Sequence, residues 1–182
     1  IVLTQGLAIT PYNLSGIARQ IAVLAIVSIG YTVILGSGQI DLSVGEIMAL
    51  CGIIYAMLSK VVFLPIAIAA AVCVGIICEF INGFVIRVFK LPGFVLTLAM
   101  GQIYKGIAHI ITDGKSVGGL SESVKYLGQG QVFGIIPMPF IIMFLIVILV
   151  AILLNQTIYG RHLIATGGNA EAAGRFRTLP LS

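Results

Sequence analysis

Five long apolar runs constrain this chain more than any other feature. They cover about 20–35, 42–59, 61–86, 91–112 and 135–159. A helix rises about 1.5 Å per residue and a bilayer core is roughly 30 Å thick, so about 20 apolar residues make one crossing. The runs lie near or above that length, the first two being the shortest. Only 9% of the 182 residues are charged and 59% are hydrophobic. A soluble domain has about a quarter of its residues charged, so this chain has too few to cover a water-facing surface. The expected fold is all-α: a polytopic transmembrane bundle of about five spans.

Several function classes fall away on composition. The net charge is +4 and the basic residues are scattered singly, so no basic stripe for nucleic acid is present. Cys51, Cys73 and Cys78 lie inside apolar runs, with no CxxC pair, and read as small buried hydrophobes. Neither a metal site nor a cofactor is expected. His109 and His162 stand alone, without the partners a catalytic triad or an HExxH site needs. The stretch 113–116, DGKS, resembles the end of a phosphate-binding loop. However, His109 stands where its first glycine belongs, and an apolar span precedes it instead of a strand. The chain begins with Ile1 and its first residues are already apolar, so its start is expected to lie upstream.

The connections differ in kind. Residues 87–90 form a tight basic turn before Pro92, and 113–134 is a polar loop rich in Gly and Ser. Pro137 and Pro139 open the fifth span, which predicts a kinked or partly unwound end there. If the segment 160–177 is cytoplasmic, alternation places Arg87, Lys90, Arg161, Arg175 and Arg177 inside. Arg19, Lys60, Lys105, Lys115 and Lys125 then lie outside. The tie leaves orientation to the density of charge in 87–90 and 160–177, which favours the cytoplasm for both.

Two stretches place polar groups among the apolar runs. In GSGQIDLSVGE, 36–46, the glycines loosen the backbone while Asp41, Ser43 and Glu46 supply polar groups. Ser43 and Glu46 have capping-box spacing, so one helix ends near 36–38 and another starts at Ser43. Broken backbone at membrane depth is tolerated where protein buries it or a wet cavity meets it, and discontinuous helices line the substrate paths of many transporters. In the third span, Ala67, Ala71, Gly75, Glu79 and Gly83 recur every four residues. That predicts a small-residue packing face carrying an acid, with Asn82 close by. Asp41, Ser43, Glu46, Glu79 and Asn82 are therefore the candidate path or gate residues, with helix capping and packing as the alternative role.

After the last span, Gly167 and Gly168 precede Asn169, Glu171, Ala172 and Ala173, which predicts a glycine turn, an Asn cap and a short helix. Such a helix, ringed by Arg161, Arg175 and Arg177, fits either anionic lipid or a cytoplasmic partner.

Together, GQIDLSVG at 38–45, Asn82-Gly83, the stretch from Leu98 to Gly114, and Tyr159-Gly160-Arg161 running on to Ala173 resemble one family. It is that of the membrane permeases of bacterial sugar-type ABC importers, which include ribose, xylose, galactose and autoinducer-2 permeases. The resemblance covers roughly 14–173, with the family's usual glycine replaced by Gln39. It implies a multi-pass permease domain over 1–182 in the bacterial inner membrane, importing a monosaccharide or related polar solute. A separate cytoplasmic ABC ATPase would hydrolyse ATP, a periplasmic binding protein would deliver the solute to the 113–134 loop, and a second permease subunit would complete the path. Residues 160–177 would dock on the ATPase through Gly160, Arg161, Gly167, Gly168, Asn169, Glu171, Ala172 and Ala173. Family members have a further N-terminal span and a second set of spans, and the chain departs from their pattern after Ala173, so it reads as a truncated form. The competing classes are a self-sufficient channel or secondary transporter using Asp41, Glu46 and Glu79, and a non-transporting membrane scaffold.

Overall fold

The computed structural model describes residues 10–134 and 136–168. It is a helical chain with one two-stranded hairpin among the described residues: α1 (Pro11–Gly36), α2 (Val44–Leu58), α3 (Leu64–Phe89), α4 (Gly93–Thr112), α5 (Glu122–Gln129), β1 (Gln131–Val132), β2 (Ile136–Pro137), α6 (Met138–Gln156) and α7 (Ile158–Gly168). Helices α1, α3, α4 and α6 are long and apolar enough to cross a membrane. The second apolar run forms only the 15 residues of α2. These span about 22 Å, short of a straight crossing.

The chain divides into two compact units, 1–39 with 125–182, and 40–124. In the first unit α1 packs along α6, and β2 and α7 also touch α1. Arg19, near the start of α1, donates to the Gln129 carbonyl at 3.2 Å. Gly36, at the end of α1, meets Leu163 of α7. The two long helices therefore run parallel. Helix α6 starts cleanly: Pro137 precedes it and Pro139 falls in its first turn, where no helical N–H is required. Of the kinked or partly unwound end expected there, the structure shows the unwound form: Ile136 and Pro137 are extended in β2, paired antiparallel with β1 (Val132 with Ile136), and the helix begins only at Met138. The polar loop also carries the short helix α5, absent from the sequence reading.

A real break follows α6. Thr157 is extended (φ −103°, ψ 156°), and its hydroxyl accepts from the Gly160 N–H at 3.2 Å, capping α7. A methyl group at Gly160 would run into the Leu154 carbonyl, so the turn needs glycine there.

The second unit packs α2 against both α3 and α4. Its core is Ile47, Leu50, Cys78, Tyr104 and Ala108. Helix α4 ends in a left-handed residue, Asp113 (φ 50°), with the Gly114 N–H returning to the His109 carbonyl at 3.0 Å. This is the Schellman arrangement. The DGKS stretch thus hangs from a helix C-terminus, whose dipole is negative, and lacks the N-terminal amides that cradle a phosphate.

The small-residue face of α3 differs from the four-residue stripe. Ala67 is buried, and Ala71 and Gly75 are half-buried, but the buried face continues through Cys78 and Asn82, leaving Glu79 and Gly83 exposed. Four residues at 3.6 per turn drift about 40° per step, so a long stripe of that spacing leaves the contact. Cys73 is likewise exposed, contrary to its reading as a buried hydrophobe.

Candidate functional site

The turn after α1 runs into the most densely hydrogen-bonded cluster of the second unit. Asp41 lies in the irregular segment ahead of α2 and is 7% exposed, and Ser43 is fully buried. One Asp41 carboxylate oxygen, Oδ1, accepts from both the Ser43 N–H and the Ser43 hydroxyl, each at 2.6 Å. This is the local bond of an Asx turn, two residues forward. The expected capping box is not formed. Ser43 is in the right-handed region (φ −90°, ψ −12°) and makes no side-chain cap bond; its hydroxyl oxygen accepts from the Asn82 amide instead.

The chain of bonds continues onto α3 and α4. The Asn82 amide donates to the Ser43 hydroxyl at 2.9 Å, and the Asn82 carbonyl accepts from the Tyr104 hydroxyl at 2.8 Å. Tyr104 also approaches the Cys78 carbonyl, at 2.9 Å. Donors therefore run in one direction, from Tyr104 through Asn82 and Ser43 to the carboxylate. Bonds aligned in this way polarise one another in a low-dielectric interior. Beside them, the Thr97 hydroxyl accepts from the Leu42 N–H at 2.9 Å. Asn82, Thr97 and Tyr104 are all 3% exposed or less.

The structure thus gathers Asp41, Ser43 and Asn82 into one buried network. Glu79 is exposed, its carboxylate lying against Asp41 and Asn82. Glu46 sits apart, half-buried on the wall of an open cleft of about 520 Å³ between α2 and α4. Two members of the network, Thr97 and Tyr104, escaped the sequence reading. Their signal was the run Thr97, Gly101, Tyr104, Ala108 on α4, small and polar residues at alternating spacings of four and three, all buried.

Of the residues read as a docking segment, Gly160, Arg161, Gly167 and Gly168 belong to α7. The glycine pair is helical and forms no turn. The backbone of Gly167 lies on the turn that ends α1: a methyl group there would strike the Gly36 carbonyl. A methyl group on Gly38 (φ 76°) would come within 3.2 Å of the Gly167 Cα. Asn169, Glu171, Ala172 and Ala173 fall outside the described residues.

The protein family described as branched-chain amino acid transport system / permease component matches residues 13–176. The chain is 39% identical over 162 residues to the L-arabinose transport system permease protein AraH of Escherichia coli (strain K12), covering 88% of this chain and 49% of that one. It is 34% identical over 166 residues to the ribose import permease protein RbsC of Bacillus subtilis (strain 168), covering 90% and 51%. It is 35% identical over 158 residues to the galactofuranose transporter permease protein YtfT of Escherichia coli (strain K12), covering 86% and 46%. The chain spans about half the length of these curated relatives. No solved structure matches it.

Proposed function

The chain belongs to the family of branched-chain amino acid transport system / permease components, and on that premise we propose that it serves as the permease subunit of an ATP-driven importer for a monosaccharide or related small polar solute. It is a multi-pass inner-membrane protein, a transport component with its chemistry carried elsewhere. The observation that carries the reading is the match along 13–176 together with relatives whose names specify arabinose, ribose and galactofuranose.

The partners of this proposal are a cytoplasmic ABC ATPase, a periplasmic solute-binding protein and a second permease subunit, either another copy or a paralogue. Residues 160–177 are the proposed docking segment. Two features support them. Helix α7 leaves the last span at a capped break, and it rests backbone to backbone on the turn ahead of Asp41. A displacement of α7 would therefore reach the 36–43 segment directly along the chain. Within 36–43, Asp41 and Ser43 are proposed to fix the break between α1 and α2, with Asn82 as their anchor on α3 and Glu79 at the edge of that anchor.

Co-purification with a sugar-type ABC ATPase tests the assignment. The wild-type chain is expected to retain the ATPase, and the double variant Glu171→Lys with Ala173→Asp to lose it. Undiminished retention in the double variant would overturn the docking role.

A further inference from the structure

The tip of the β1–β2 hairpin carries an aromatic residue where local backbone preference disfavours one. Phe133 and Gly134 both take left-handed backbone, at φ 55° and 68°. Gly, Asn and Asp suit such a corner, and a bulky aromatic there is an outlier. Phe133 is also 91% exposed, so its ring packs on almost nothing within the chain. Backbone outliers of this kind cluster where a protein binds something.

Two hydrogen bonds within the first unit fix the level at which the hairpin stands. Arg19 lies near the start of the membrane-length α1 and donates to the Gln129 carbonyl, just ahead of β1, at 3.2 Å. A charged residue near the end of a span holds its head group at the membrane–water boundary. The Met138 N–H, the first of α6, donates to the Gly130 carbonyl at 2.9 Å. The base of the hairpin is thus tied to the entries of two parallel spans, at the boundary where both meet the bilayer.

We propose that the hairpin tip is a lipid wedge: Phe133 inserts into the head-group boundary of one leaflet and anchors the entry of α6 at a fixed depth. The partner is the bilayer surface. Phe is among the residues that interfacial segments bury there, and the chain has no Trp to fill that role. No charged residue stands between Lys125 and Arg161, so the hairpin carries no charge into lipid and offers none to a charged protein surface. The apolar surface runs on past the tip. Ile136 is exposed on β2, and Phe140 and Phe144, four residues apart on one face of α6, are exposed as well. The wedge therefore continues the surface that a spanning α6 turns to lipid. It requires the membrane spans alone and is independent of the solute carried.

The lack of Trp makes the test direct. Phe133→Trp in the full chain, reconstituted in phosphatidylcholine vesicles, carries the sole indole. Phospholipids brominated near the glycerol end of the acyl chain are expected to quench it more than those brominated near the methyl end. Depth analysis should place the ring about 5–10 Å inside the head-group boundary, with aqueous iodide nearly without effect. Leu149→Trp, near the middle of α6 and exposed, should show the opposite order of lipid quenching. Iodide quenching of Phe133→Trp as strong as that of free N-acetyltryptophanamide, with neither lipid effective, overturns the wedge and gives the tip to a water-soluble partner. The anchoring role has its own readout. Ile136→Trp reports from the hairpin beside α6, and Phe133→Asn suits the left-handed corner while removing the ring. Adding Phe133→Asn to Ile136→Trp is expected to weaken quenching by the shallow bromolipid and to raise iodide access. An unchanged Ile136→Trp signal overturns the anchor.

Discussion

The Asn82 amide nitrogen lies 2.9 Å from the Ser43 hydroxyl, joining the C-terminal half of a membrane-length helix to the residue just before α2. Ser43 is 0% and Asn82 2% exposed, so neither can exchange its partner for water. Removing Asn82 takes the donor from the Ser43 hydroxyl and leaves the Tyr104 hydroxyl with the Cys78 carbonyl alone. Asn82→Ala is therefore expected to destabilise the protein in detergent. A double-mutant cycle with Tyr104→Phe should return a coupling energy of about 0.5–2 kcal/mol, the range seen for hydrogen bonds between membrane helices and for contacting pairs. Denaturant titration of the four proteins gives the number. Strict additivity would show that the Asn82–Tyr104 bond contributes nothing.

Asp41 separates a structural role from a transport role. Its Oδ1 accepts two bonds from Ser43, and an asparagine can supply the same acceptor without the charge. Asp41→Asn is expected to keep most of the stability, and Asp41→Leu to lose about 1–3 kcal/mol by leaving the buried donors of Ser43 unpaired. Transport per folded complex should stay near wild type in both. A stable Asp41→Asn protein with abolished transport would move the carboxylate from holding the break to handling the solute.

Much of this arrangement is legible in the sequence. Four of the five long apolar runs became membrane-length helices because each carries enough hydrophobic length on its own, while the second formed only the 15 residues of α2. The 36–43 break followed from glycines and an acid, whose local chemistry suits turns. Reading Ser43 as a cap failed because a tertiary partner was invisible: Asn82, 39 residues away, accepts no cap geometry and instead pairs with the serine hydroxyl. The α3 stripe failed for a geometric reason, since four-residue spacing drifts around a helix. Glu46 was grouped with Asp41 on proximity along the chain, but a helix turns its residues apart, and Glu46 faces the cleft with Lys105, a residue the sequence offered only as a charge near the end of a span.

The glycines of α7 give a prediction with an unusual sign. In an isolated helix, Gly→Ala is favourable by about 0.8–1 kcal/mol. At Gly160 and Gly167 the added methyl meets the carbonyls of Leu154 and Gly36, which are backbone atoms and cannot rotate away. Both alanine variants are therefore expected to lower stability and to raise protease sensitivity around 157–168. Gly36→Ala serves as the control, because its methyl would make ordinary contact with Leu163 at 3.5 Å. Limited proteolysis in proteoliposomes distinguishes the three. A Gly167→Ala chain as resistant as the Gly36→Ala chain would show that α7 does not rest on the α1 turn.

Thr97 offers the most local readout. It is 1% exposed, and its hydroxyl accepts from the Leu42 N–H at 2.9 Å, tying the irregular segment before α2 to α4. Leu42 lies outside any helix, so no backbone ladder replaces that bond when it is lost. Thr97→Val preserves shape and removes the acceptor, leaving a backbone donor unpaired at about 1–3 kcal/mol. Thr97→Ser keeps the hydroxyl and removes only a methyl group. Hydrogen exchange at the Leu42 amide is expected to accelerate strongly in Thr97→Val, by about tenfold for each 1.4 kcal/mol of lost protection, and to change little in Thr97→Ser. Equal exchange in the two variants would place the Leu42 amide on another acceptor and detach the break from α4.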